Sequence, residues 1–171
     1  MTLAPEKKID EDMVRYFVWA IWNFFSRTTN IDPEVEAPYL LTNLPHNDFT
    51  GVIAVAGSQH GKVSFTLGND LLTVLMDDHY AKGFESSLQE LDEDEEEKLR
   101  VDATGEMANV IAGNVRNFLG ENFLISTPVV LRRGGELIDP LSDSVSVVFP
   151  IRWQEHLCHL VVSLRGAVEQ A

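Results

Sequence analysis

Residues 102–120 read DATGEMANVIAGNVRNFLG, and the architecture follows from how that stretch is understood. Val110, Ile111, Val115, Phe118 and Leu119 recur at helical spacing, which sets one side of the segment against a core. Asp102, Glu106, Asn109, Gly113 and Arg116 fall three and four apart and stack along another side. Each residue of a helix turns ~100°, so Glu106 and Asn109 are about 60° apart around the axis. A carboxylate and a carboxamide are thereby held one turn apart on a stiff support. Gly105 and Gly113 each cost ~1 kcal/mol against alanine inside a helix, and close approach of another backbone would account for them.

Working outward, the six acids from Asp92 to Glu97 stand where a helix N-terminus belongs, and negative charge there complements the helix dipole. The central helix is therefore expected to begin near Asp92 or Asp94 and to end at the C-cap glycine Gly120. Towards the N-terminus, residues 81–91 read as a linker and Asn69 opens a helix to about His79. Phe49–Ala56 and Lys62–Leu67 form a hairpin, with β-branched and alternating apolar residues on both sides of a glycine-bounded connection. Ala37–Thr42 reads as an edge strand, because Pro38 cannot donate to a ladder. A first helix runs from about Asp10 to Arg27 on the stripe Met13, Phe17, Ile21, Phe24. Trp19 and Trp22 lie off that stripe and are read as completing the core or a loop contact, with a partner surface as the alternative.

Towards the C-terminus, Phe123–Arg132 is a strand broken at Pro128. Arg133–Ser144 is a loop, and Val145–Arg152 pairs with Leu157–Arg165 around a turn at 153–156. The expected organisation is a flexible leader over 1–9, one domain over 10–165 and a tail over 166–171. Helix, hairpin, helix, helix and terminal strands predict an α+β fold, with long helices packed on a largely antiparallel mixed β-sheet.

Composition limits the function. The 171-residue chain carries a formal net charge of -14, which disfavours nucleic acid and anionic lipid as partners and favours one with a basic patch. No apolar run is long enough to span a bilayer. The N-terminus lacks the apolar core of a signal peptide. The single cysteine, Cys158, rules out an internal disulfide and fits a reducing cytoplasm. His46, His60, His79, His156 and His159 are scattered without an HxxxH or HExxH pair, so no metal site is expected. No serine sits in a GxSxG elbow. GSQHG at 57–61 joins two strands and lacks the GK[ST] ending of a phosphate loop. On spacing alone, Glu106 and Asn109 are most simply ordinary surface residues, and nothing in it names a reaction.

The segment Asp102-Ala-Thr-Gly-Glu106-Met-Ala-Asn109-Val-Ile-Ala-Gly113-Asn114, followed by Ser126-Thr-Pro128, resembles the signature of the CheC/CheX/FliY chemotaxis phosphatases, most nearly that of CheX. Phe49-Thr-Gly51-Val-Ile-Ala-Val-Ala-Gly57, followed by Gly61-Lys-Val-Ser-Phe, is similar to the family's first hairpin. One copy of the motif is present, as in CheX; CheC typically carries two. The resemblance implies a CheX-like fold and a phosphatase that hydrolyses the aspartyl phosphate of a phosphorylated CheY-like receiver by positioning the attacking water. Glu106 and Asn109 would be the catalytic pair, with Asp102, Gly105, Gly113 and Arg116 meeting the partner. It implies no cofactor of the chain's own, Mg²⁺ in the receiver, and a homodimer in the cytoplasm. A non-catalytic scaffold or sensory module of the same fold is the alternative.

Overall fold

A computed structural model describes residues 10–43, 45, 47–84, 91–133 and 145–166. The leader over 1–9, most of the linker before residue 91, nearly all of the loop over 133–144 and the tail beyond 166 lie outside the described residues. The elements in chain order are α1 (Glu11–Thr29), β1 (Glu34–Val35), β2 (Tyr39–Leu40), β3 (Phe49–Gly57), β4 (Gln59–Leu67), α2 (Asn69–Phe84), α3 (Glu93–Leu119), β5 (Phe123–Ile125), β6 (Val129–Arg132), β7 (Val145–Trp153) and β8 (His156–Gly166). The strands form one sheet in the order β1-β7-β8-β4-β3-β5, with β2 also beside β7 and β6 also beside β3. Every pairing among the described residues is antiparallel, which agrees with the expected α+β fold on a largely antiparallel sheet.

Alternation along the strands decides which face meets the helices. Phe49, Ile53 and Val55 of β3, Val63, Phe65 and Leu67 of β4, Leu160 and Val162 of β8, and Phe149 and Ile151 of β7 are buried in register. They share a core with Phe17, Ile21 and Phe25 of α1, Leu72 and Leu75 of α2, and Met107, Ile111 and Val115 of α3. Each such side chain contributes ~1.5–3 kcal/mol on full burial. The opposite face carries buried hydroxyl pairs: Thr50 Oγ1 donates to Thr66 Oγ1 at 2.9 Å, and Ser146 and Ser163 hydroxyls meet at 2.6 Å.

The helix ends follow from side chains. Asp10 caps α1, its carboxylate accepting from the amides of Asp12 and Met13. Asn30 closes it in the left-handed region at φ 57°. At α3 the acid run supplies a reciprocal cap: the Glu95 amide donates to Asp92 Oδ1 at 2.9 Å, and the Asp92 amide donates to Glu95 Oε2 at 3.2 Å. The N-terminus of α2 is capped from a distance, Asn69 N donating to Asp48 Oδ2.

Other expectations change. Trp19 and Trp22 stay 38% and 44% exposed, because the buried stripe of α1 passes through Phe17, Ile21, Phe24 and Phe25 on the far side. Val110 and Phe118 are likewise 40% and 43% exposed rather than in the core. Phe118 instead stacks on Tyr16 and meets Trp19 edge-on, with centroids 4.8 and 4.9 Å away. The final hairpin turns tighter than expected, through Gln154 and Glu155 alone. Trp153 ends β7 buried, its indole N–H donating to Ile31 O.

Candidate functional site

α3 is a long helix seated on the sheet along one side and open along the other. Ala103, Thr104, Met107, Ala108, Ile111, Ala112 and Val115 are buried. Asp102, Glu106, Asn109, Val110, Arg116 and Asn117 are exposed. The acid and the amide thus share an outward ridge whose base is fixed in the core. Their side chains rise from a helix with every backbone bond in place, so little backbone freedom is left to lose on contact with another molecule.

Two contacts set how closely the helix sits. At Gly51 of β3, an added Cβ would stand 2.8 Å from Ala108 Cβ and 2.9 Å from Thr104 O. Beside it on the sheet, Val130 pairs with Gly51 across the β3–β6 ladder. A Cβ on Gly105 would stand 3.1 Å from Pro128 Cγ and 3.3 Å from both Pro128 Cβ and Val130 Cγ2. Gly105 is therefore buried beneath the ridge, which corrects its expected place on the partner-facing surface. What approaches it is a proline ring and a valine methyl rather than backbone. Gly113 is half-buried, and beyond its own helix backbone the nearest described atom to a Cβ there is Ile125 Cδ1 at 4.0 Å, so close packing among the described residues does not explain it.

Further down α3, Arg100 ties it to α2. Its guanidinium donates to Glu96 Oε1 at 2.7 and 3.1 Å, to Asn69 Oδ1 at 3.0 Å and to Thr73 Oγ1 at 3.0 Å. Thr104, buried, donates its hydroxyl back to Arg100 O. Sequence reasoning passed over both groups, and it did not use Gly51 as a seat. A lone glycine in an apolar strand is the signal for close backbone approach.

The thiol and histidine chemistry lies elsewhere. Cys158 is fully buried in the sheet, and burial pushes its thiol far above the usual range, so it is not poised as a nucleophile. His159, with Nδ1 buried and without a hydrogen-bond partner, is held below its ordinary value of 6.5 by burial, partly offset by Glu36. Among the described residues no group of three His, Cys, Asp or Glu side chains could hold a metal ion. No described helix is long and apolar enough to cross a membrane.

The family model for the chemotaxis phosphatase CheX matches residues 49–152, which include the first hairpin, all of α3 and most of β7. The chain belongs to the CheX family. Solved structures share the CheX fold over nearly the whole chain. A CheC-like superfamily protein from Shewanella sp. PV-4 superposes with a TM-score of 0.74 at 22% identity, covering 92% of this chain and 100% of its own. The chemotaxis protein CheX of Desulfovibrio desulfuricans gives 0.73 at 23%, covering 90% and 99%. CheX of Borrelia burgdorferi, solved in complex with CheY, BeF₃ and Mg²⁺, gives 0.72 at 17%, covering 92% and 99%. A comparison with curated proteins found no match.

Proposed function

We propose that the chain is a phosphatase that hydrolyses the aspartyl phosphate of a phosphorylated CheY-like receiver, with Asn109 and Glu106 as its working residues. The observation that carries this is the exposed ridge of α3, where the acid and the amide stand one turn apart over a buried base. The Borrelia complex, in which a CheX is bound to CheY, BeF₃ and Mg²⁺, supports the choice of partner.

The chemistry asks little of the chain beyond position. A receiver phosphorylated on aspartate brings its own Mg²⁺ and lysine to the phosphoryl group, and what it lacks is an aligned water. The Asn109 amide can accept from that water through its C=O and donate through its NH₂ to the water or a phosphoryl oxygen. Holding water in line is the task a glutamine performs in GTPases. Glu106 pairs with the receiver's lysine and fixes register, and a mismatched charge at that buried contact excludes wrong partners. Neither side chain has to change protonation near neutral pH. Asp102, Arg116 and the uncrowded Gly113 extend the same face, Gly113 leaving room for the partner's surface to pass close. The chain works in the cytoplasm as a homodimer on this reading.

The test is phosphate release from a phosphorylated receiver with the chain at substoichiometric amounts. Faster loss, with many receivers turned over per chain, is the expected result. A receiver whose lifetime is unchanged or prolonged by a bound chain would make this a scaffold and overturn the proposal.

A further inference from the structure

The three-residue break between β5 and β6 is built around a hydroxyl. β3 pairs with β5 as far as Val55↔Ile125 and with β6 from Val52↔Val129. Ile53 and Ala54 therefore face three residues, Ser126, Thr127 and Pro128, and the extra one makes a bulge. The bulge takes the Ala54 amide out of the regular ladder, so that donor needs an acceptor other than a paired strand carbonyl. Ser126 provides it. Its amide donates to Ala54 O at 2.9 Å, its Oγ accepts from Ala54 N at 3.0 Å, and the same hydroxyl donates to Thr127 O at 2.7 Å. The bulge brings Pro128 against Gly105, the residue before Glu106.

We propose that the Ser126 hydroxyl is a positioning group for the α3 ridge: by tethering the bulge to β3 it presses Pro128 onto Gly105 and fixes where Glu106 and Asn109 stand. The kinetic part of this rests on the phosphatase reading above; the geometric part does not. Ser126 touches no substrate and acts through Pro128 alone. It is exposed, so in Ser126→Ala water can satisfy the Ala54 amide and the loss of stability is small. Water is not tied to Thr127, so the bulge is free to relax and the ridge moves with it. Small displacements of a positioning group are costly when in-line geometry is the whole contribution.

The experiment compares the full chain with Ser126→Ala, Ser126→Thr and Ser146→Ala. Ser146→Ala removes a buried hydroxyl pair on β7–β8, away from α3, and controls for stability. Two readouts are taken: receiver dephosphorylation resolved into kcat and KM, and the NMR resonances of the Asn109 side-chain amide. Ser126→Ala should lower kcat about tenfold with KM within about twofold and shift the Asn109 amide. Ser126→Thr should restore both, and Ser146→Ala should change neither. An unmoved Asn109 amide in Ser126→Ala, or unchanged kcat, overturns the proposal. If the parent chain does not act on any receiver, the phosphatase reading fails while the amide resonance still decides the positioning claim. Should Ser126→Ala not fold, Pro128→Ala carries the same test, because it removes the platform and leaves the Ser126 bonds in place.

Discussion

Replacing Gly51 by alanine tests whether the sheet really sets the height of α3. The new Cβ would stand 2.8 Å from Ala108 Cβ, whereas carbon atoms settle at ~3.5–4.0 Å, so the gap is short by about 0.7 Å. Neither neighbour can swing aside. One is an alanine methyl and the other, at 2.9 Å, is the Thr104 carbonyl oxygen, part of the helix backbone. The helix must lift. Overpacking of this kind costs ~1–3 kcal/mol, while removing a glycine from a strand returns ~0.5–1. The net loss is about 1–2 kcal/mol, a fall in Tm of about 3–6 °C for a chain of this size. Thermal unfolding read by circular dichroism, with the ridge followed by backbone NMR, measures both parts. Ala108→Gly should recover part of the loss in the double variant, with a coupling of about 1 kcal/mol. A Gly51→Ala protein at least as stable as the parent would refute the close seat of α3 on β3.

Gly113→Ala is expected to do the opposite for stability. Among the described residues outside its own helix backbone, no atom would stand closer than 4.0 Å to the new Cβ, so ordinary helix propensity applies and unfolding should require about 1 kcal/mol more. On the proposed reading its affinity for a phosphorylated receiver falls at the same time, which a titration against receiver carrying BeF₃ measures. His159 gives a pH dependence. Its folded pKa lies below 6.5, so the unfolded chain takes up the proton first as pH drops. The contribution is fully present above pH 6.5 and is lost as pH falls below it towards the folded value; urea melts across that window should show the slope, and His159→Gln should flatten it. On the proposed reading, Glu106→Lys should weaken receiver docking by about an order of magnitude, read in the same receiver titration.

The helices were legible because their signals are local. Asp10 and Asp92 cap where acids precede apolar periodicity, and Gly120 ends α3 with its amide on Arg116 O. Both hairpins were legible for the same reason, since alternation and turn residues lie within one short stretch. β1 was not. It has two residues, pairs with Arg152 and Ile151 across most of the chain, and is pinned by the Glu36–Arg152 ion pair at 2.8 Å. Sequence spacing cannot register such a contact. Glu106 and Asn109 stand exposed on α3, where period put them, while their role came from the motif alone. Val110, placed by period, and Gly105, placed by the resemblance, were misplaced because neither says what stands beside a residue. Val110 turns towards the exposed ridge, and Gly105 turns towards Pro128, a neighbour supplied by a bulge more than twenty residues downstream. Trp19 and Trp22 were read off the stripe correctly, but period alone does not say what lies beside them, and large apolar side chains at the margin of a buried stripe are common on surfaces.

On the proposed reading, catalysis turns on the Asn109 amide. Single-turnover dephosphorylation of a phosphorylated receiver, with parent and Asn109→Ala chains at matched occupancy, tests it most directly. The expected result is an Asn109→Ala chain that folds and docks as the parent does while phosphate loss slows to about the receiver's own rate. Parent-like phosphate loss from the docked Asn109→Ala chain would contradict it.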